Sequence, residues 1–77
     1  MAKREVLSAK RILARNLRRL RLERALSQDD VAAEADLRQA LISAIEVGTA
    51  NPTLESLDRL ASALGVDLAV LFDRTAR

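Results

Sequence analysis

Residues 28–46 read QDDVAAEA, then DLR, then QALISAIE. Two short stretches with apolar residues at helical spacing, separated by three residues, constrain this chain more than any other feature. Helices joined over so tight a turn cross at roughly 90–120°, and the residue at the crossing has to be small for the backbones to approach. Ala32 meets that need. Leu37 in the turn, and Ile42 and Ile45 beyond it, are placed to close a core beneath the second helix.

The rest of the chain extends the helical pattern. Ser8 is a suitable N-cap for a first helix ending near Arg24, with Leu13, Leu17 and Leu20 as its buried stripe. Ile12 and Leu22 lie off that stripe and are expected to be exposed. Ser27 caps the second helix, residues 28–35, and Asp30 stands in a capping-box-like position three residues later. Val31, Ala32 and Ala35 are its inward residues. The third helix is expected at about 38–46 with Gly48 ending it. Thr53 caps a fourth over 54–64, with Leu54, Leu57, Leu60, Ala61 and Leu64 as its stripe. Asp67 caps a fifth over 68–72. Only two glycines and one proline occur in 77 residues, and the expected fold is all-α: one compact five-helix domain at 8–72. Residues 1–7 are expected as a flexible basic arm or helix extension, and 73–77 as a frayed tail.

Composition narrows the function. The chain has no cysteine and no histidine, which leaves no thiolate nucleophile or imidazole base; its carboxylates are isolated and no glycine-rich phosphate loop is present. An enzyme is not expected, nor a metal, a cofactor or a small-molecule substrate. No apolar run approaches the roughly 20 residues of a membrane helix, and the start of the chain has no signal-peptide pattern; a cytoplasmic protein is expected. A single aromatic residue, Phe72, argues against a platform that stacks single-stranded bases. Charge is unevenly placed: residues 1–26 hold nine Lys/Arg and two acids, residues 27–77 four Arg and nine acids. A basic segment on an acidic body suits a polyanion, and equally a solvated helix face. On spacing alone, residues 28–46 suit a helix-turn-helix or an ordinary helical hairpin.

Residues 13–72 closely resemble the Cro/phage-repressor (XRE-like) helix-turn-helix family. The resemblance rests on LARNLRRLRLERALSQDDVAAEADL, ISAIEVG and NPTLESLDRLASALGV, in order and at family spacing. It implies sequence-specific binding of double-stranded DNA, commonly as a homodimer on palindromic sites. It also implies that Arg21 and Glu46 form a partly buried salt bridge tying the third helix to the first. Ala25 and Asp36 stand where the family often has glycine; alanine tolerates the left-handed conformation poorly, so the turn at Ala25 is expected to close differently. The loop VGTAN lacks the Lys/Arg that relatives commonly carry there.

Contacts to DNA divide into those that position and those that specify. For positioning, Ser27 and Gln28 lie at a helix N-terminus, where free amides favour a phosphate. Arg15, Arg18, Leu41, Thr49 and Asn51 complete the expected phosphate-contacting set, with Lys3 and Arg4 of the arm as further cations. For specifying, a helical wheel at about 100° per residue puts Ile42 and Ile45 inward, Leu41 at the border, and Gln39, Ala40, Ser43, Ala44 and Val47 outward. Gln39 can bond an adenine through both amide atoms, Ser43 can donate or accept, and Ala40 and Ala44 can pack on thymine methyls. Arg38 can reach a guanine or a phosphate.

The expected function is a dimeric transcriptional regulator, a phage-type repressor or a restriction-modification controller, acting by where it sits. An antitoxin-like or other protein-interaction module with secondary DNA binding is the alternative, motivated by the few polar groups on the outward face at 38–46 and by Ile12 and Leu22. The expected dimer surface is Val66, Leu68, Val70, Leu71 and Phe72; if Leu68, Leu71 and Phe72 instead fill the core, only Val66 and Val70 remain outside.

Overall fold

The computed structural model describes residues 8–75. The expected arm at 1–7, with Lys3 and Arg4, and the last two residues of the expected tail lie outside them. Four α-helices follow in order: α1 (Ala9–Glu23), α2 (Gln28–Ala35), α3 (Gln39–Glu46) and α4 (Leu54–Leu64), closed by a 3₁₀ segment at Leu68–Phe72. No strand occurs among the described residues.

The helix starts are set by short polar side chains. Ser8 Oγ accepts from the Arg11 amide, Thr53 Oγ1 from the Ser56 amide and Asp67 Oδ1 from the Ala69 amide. Ser27 and Asp30 complete a reciprocal capping box: Ser27 Oγ accepts from the Asp30 amide at 2.9 Å, and the Ser27 amide donates to Asp30 Oδ2 at 2.8 Å. α3 begins one residue later than expected, because Arg38 has extended backbone and serves as its N-cap. Of the four α-helices, α3 alone has no side-chain cap.

The helix ends share one device. Ala25, Asp36, Gly48 and Gly65 all have positive φ. After each, the next amide reaches back five residues: Leu26 to Arg21, Leu37 to Ala32, Thr49 to Ala44 and Val66 to Ala61, at 2.9–3.0 Å. These bonds satisfy carbonyls that a helix terminus otherwise leaves unpaired. The turn at Ala25 therefore closes as a glycine there would close it, at φ 54°, against the expectation of a different turn. Two well-aligned backbone bonds, from Ala25 to Leu22 and from Leu26 to Arg21, hold alanine in a conformation that costs roughly 1–2 kcal/mol.

One continuous core joins all five segments, with Leu17, Ile42, Leu60 and Leu71 fully enclosed. α1 packs against both α3 and the 3₁₀ segment, so its buried face is wider than one stripe. Ile12, expected outside, is accordingly 3% exposed, and Asn16 is completely buried. Leu22 is 55% exposed, as its position predicts. Leu54, assigned to the α4 stripe, is 77% exposed. It is the first residue of its helix, and the apolar face of α4 begins only at Leu57. The last segment is 3₁₀ rather than α, closed by bonds from Val70 to Asp67 and from Asp73 to Val70; at five residues it is slightly longer than such helices usually run.

Asn16 anchors that segment. Its Nδ2 donates to the Leu71 and Asp73 carbonyls, both at 2.9 Å, while Arg15 Nη2 donates to the Arg74 carbonyl at 3.0 Å. Asp73 and Arg74, expected to fray, are thus hydrogen-bonded to α1, and Thr75 bonds back to the Asp73 carboxylate. At the other end of α1, Arg24 donates to the Leu20 and Leu64 carbonyls, joining the ends of α1 and α4.

Candidate nucleic-acid interface

The face that α3 turns to solvent follows from what it buries. Ile42 and Ile45 are enclosed, which directs Gln39 and Ala40 fully outward and leaves Ser43 and Ala44 half-exposed beside them. Val47, just past the helix, is 69% exposed and continues the same face. Leu41 is half-buried at its border, and Arg38 is exposed at its start. The surface is thus one long cation, one amide, one hydroxyl and a set of methyl groups.

A chain of side chains runs beneath it. Arg21 on α1 meets Glu46 on α3 through two bonds, Nε to Oε2 at 2.6 Å and Nη2 to Oε1 at 2.9 Å. The two side chains are 11% and 3% exposed, so the expected pair is present, bidentate and shielded from solvent. Its geometry fixes orientation as well as charge. The hydrogen bond to Glu46 holds the Arg21 guanidinium above its ordinary pKa, against the opposing effect of burial. Arg21 Nη1 also donates to the Leu26 carbonyl at 2.9 Å, which fastens the start of the α2 turn to the same group. Glu46 Oε1 accepts from Gln28 Nε2 at 3.4 Å, and Gln28 Oε1 accepts from Gln39 Nε2 at 2.7 Å. The amide of Gln39 is therefore held from behind, through Gln28 and Glu46, by a residue of α1.

This relay was not foreseen. Its sequence signal is positional: Gln28 and Gln39 each occupy the first residue of their helix. The crossing of α2 and α3 brings those two first turns together. Gln28 was expected to contact phosphate; in the structure it also buttresses Gln39.

Arg18 and Arg38 are exposed and their side chains make no bond within the described protein; Arg15 is exposed and spends one N–H on the Arg74 carbonyl. Ser27 is exposed, with its side chain engaged in the capping box by Asp30. Thr49 and Asn51 are exposed in the loop after α3, Thr49 with a bond of 3.4 Å to the Ala44 carbonyl. Of the residues assigned to a dimer surface, Leu71 is fully enclosed in the protomer core, so it has no surface to offer a second copy. Val66, Leu68, Val70 and Phe72 pack on that core with part of each side chain left outside.

Comparison with known proteins bears on the family and the fold. A family profile described as helix-turn-helix matches residues 17–71. An HTH-type transcriptional regulator of Sinorhizobium fredii is 40% identical over 57 residues, covering 74% of each chain. Control protein C.BamHI of Bacillus amyloliquefaciens is 37% identical over 65 residues, covering 83% of this chain and 80% of its own. The crystal structure of the restriction-modification controller protein C.AhdI from Aeromonas hydrophila superposes with a TM-score of 0.79 at 30% identity, covering 82% of this chain and 96% of that one.

Proposed function

The chain belongs to the helix-turn-helix family of DNA-binding transcriptional regulators, which are not enzymes, and we propose that it acts as a homodimeric controller reading a palindromic operator with α3. The observation that carries this reading is the relay behind Gln39. An amide that must bond both N6 and N7 of one adenine has to be aimed before it arrives. Gln39 spends one of its two amide hydrogens on Gln28, which leaves the other for N7 and its oxygen for the N6 amino group.

The remaining roles follow from position. Ser43 supplies a second polar contact, Ala40 and Ala44 pack on thymine methyls, and Arg38 reaches a guanine or a phosphate at the edge. Ser27, Gln28, Arg15, Arg18, Thr49 and Asn51 are assigned to the sugar-phosphate backbone, with Leu41 packing beside it. Phosphate contacts of this kind set register and bulk affinity, and the α3 face sets sequence.

So sparse a reading face gives limited discrimination from one half-site, and pairing two protomers multiplies it. We assign the pairing to Val66, Leu68, Val70 and Phe72. Two α3 helices then enter successive major grooves roughly 34–36 Å apart. A regulator of this kind acts in the cytoplasm, and no helix among the described residues is long and apolar enough to cross a membrane. The kinship with control proteins of restriction-modification systems supports a controller rather than an interaction module, and the burial of Ile12 removes half of the apolar surface on which the alternative rested. The test is titration of the protein onto duplex from its own promoter against a random duplex at several salt concentrations. Tighter, salt-dependent binding to the promoter supports the reading; no binding to either at low salt refutes it.

A further inference from the structure

Beside the end of α3 lies a shallow hollow of about 380 Å³, lined by Arg11, Ala14 and Arg15 of α1 and by Glu46, Val47 and Gly48. We propose that this hollow seats a DNA backbone phosphate, gripped by Arg11 with Arg15 beside it, and extends the contact beyond the reading face. The inference rests on the reading of α3 as the DNA-facing helix.

Three observations lead to an anion of the same duplex. First, the charge is uncompensated among the described residues. The only acid of α1 is Glu23, which pairs with Arg19 and Arg24. Glu46 is the one carboxylate on the hollow, and Arg21 already binds both of its oxygens. The Arg11 side chain makes no bond within the described protein, and Arg15 meets only a neutral carbonyl. Second, the groups share one side of α1. Arg11 and Arg15 are one helical turn apart, and Ala14 between them is small enough to leave the hollow open. Third, the hollow is continuous with the proposed interface. Val47 belongs both to its wall and to the outward face of α3, so a duplex lying along that face carries its backbone past Arg11. A cation at that edge reads no base. It adds affinity to every sequence alike and anchors the exit of the reading helix.

The experiment compares the unaltered protein with Arg11→Ala, Arg11→Lys and, as a control on α4, Arg59→Ala, on promoter and random duplexes across a salt series. Circular dichroism checks that each variant folds. Arg11→Ala is expected to weaken binding to both duplexes by the same factor and to lower the slope of log K against log salt by about one per bound protomer. Arg11→Lys keeps the slope, as does Arg59→Ala. Ethylation interference on the promoter should lose one phosphate per half-site with Arg11→Ala. An unchanged slope, or an unchanged set of interfering phosphates, overturns the inference while leaving the reading of α3 in place. Absence of salt-dependent binding by the unaltered protein removes both.

Discussion

Arg21 and Glu46, 25 positions apart in the chain, are joined by two hydrogen bonds of 2.6 and 2.9 Å with almost no solvent access to the carboxylate. The pair fixes α3 against α1, and through Gln28 it fixes the amide of Gln39.

Removing one member of such a pair leaves the other buried without its counter-charge. Glu46→Ala is expected to destabilise the fold by about 3–5 kcal/mol, as removing one partner of a buried ion pair does. Urea unfolding followed by circular dichroism measures it. Because Glu46 also accepts from Gln28, the same variant should lose discrimination between operator and random duplex under conditions where it remains folded. A stability change under about 0.5 kcal/mol, the size of an ordinary surface substitution, would contradict the structural role.

Ala25 sits at φ 54°, where glycine carries no steric cost. Ala25→Gly should stabilise the protein by about 0.5–1 kcal/mol, the left-handed penalty for alanine less the greater freedom of glycine in the unfolded chain. Ala25→Val should do the opposite. Thermal melts of the three proteins decide it, and a lowered melting temperature for Ala25→Gly would show that the turn does not need the left-handed conformation.

The capping box gives a dependence on pH. The Ser27 amide, and then the Ser27 hydroxyl, hold the Asp30 carboxyl below the usual aspartate range. A group whose folded pKa is depressed contributes stability above its unfolded value and loses it as pH falls through the folded one. The contribution of Asp30 should therefore be fully present at neutral pH and disappear on acidification. In Asp30→Asn the difference in stability from the parent should shrink as pH is lowered into that range. A difference that stays constant with pH would exclude this origin.

Val70 and Leu71 are neighbours with opposite surroundings, Val70 part-exposed and Leu71 enclosed. Val70→Glu should give a folded monomer, seen as a fall in sedimentation coefficient with the helical signal retained. Leu71→Ala should instead lower stability by about 2–5 kcal/mol, as large-to-small core changes do. An unchanged dimer in Val70→Glu would place the interface elsewhere.

Much of the architecture was legible in the sequence because its signals are local. Ser8, Ser27 and Thr53 mark helix starts, Gly48 and Gly65 mark ends, and the Ile42 and Ile45 spacing orients α3. The misreadings arise where a neighbour decides. Ile12 and Asn16 are buried because α1 has two packing partners, and a single-helix periodicity describes only one. Leu54 fits its stripe by number but stands at the helix start, beyond the reach of the core. The α3 face could be drawn on a wheel; the bond between Gln39 and Gln28 could not, since it depends on the angle at which two first turns meet. Asn16 carried no sequence signal at all, because a polar residue in an arginine-rich helix reads as solvated until the terminal segment is folded over it.

Sequence recognition by α3 rests on whether Gln39 reads a base. Binding of the unaltered protein and of Gln39→Ala should be measured on a panel of operator duplexes carrying every single base-pair substitution in one half-site. Gln39→Ala should lose about 1–3 kcal/mol on the preferred site and relax preference at one A·T position only, with the other positions discriminated as before. A loss of equal size on every duplex, with all preferences intact, would mean that Gln39 touches only the backbone and that the relay behind it does not serve base recognition.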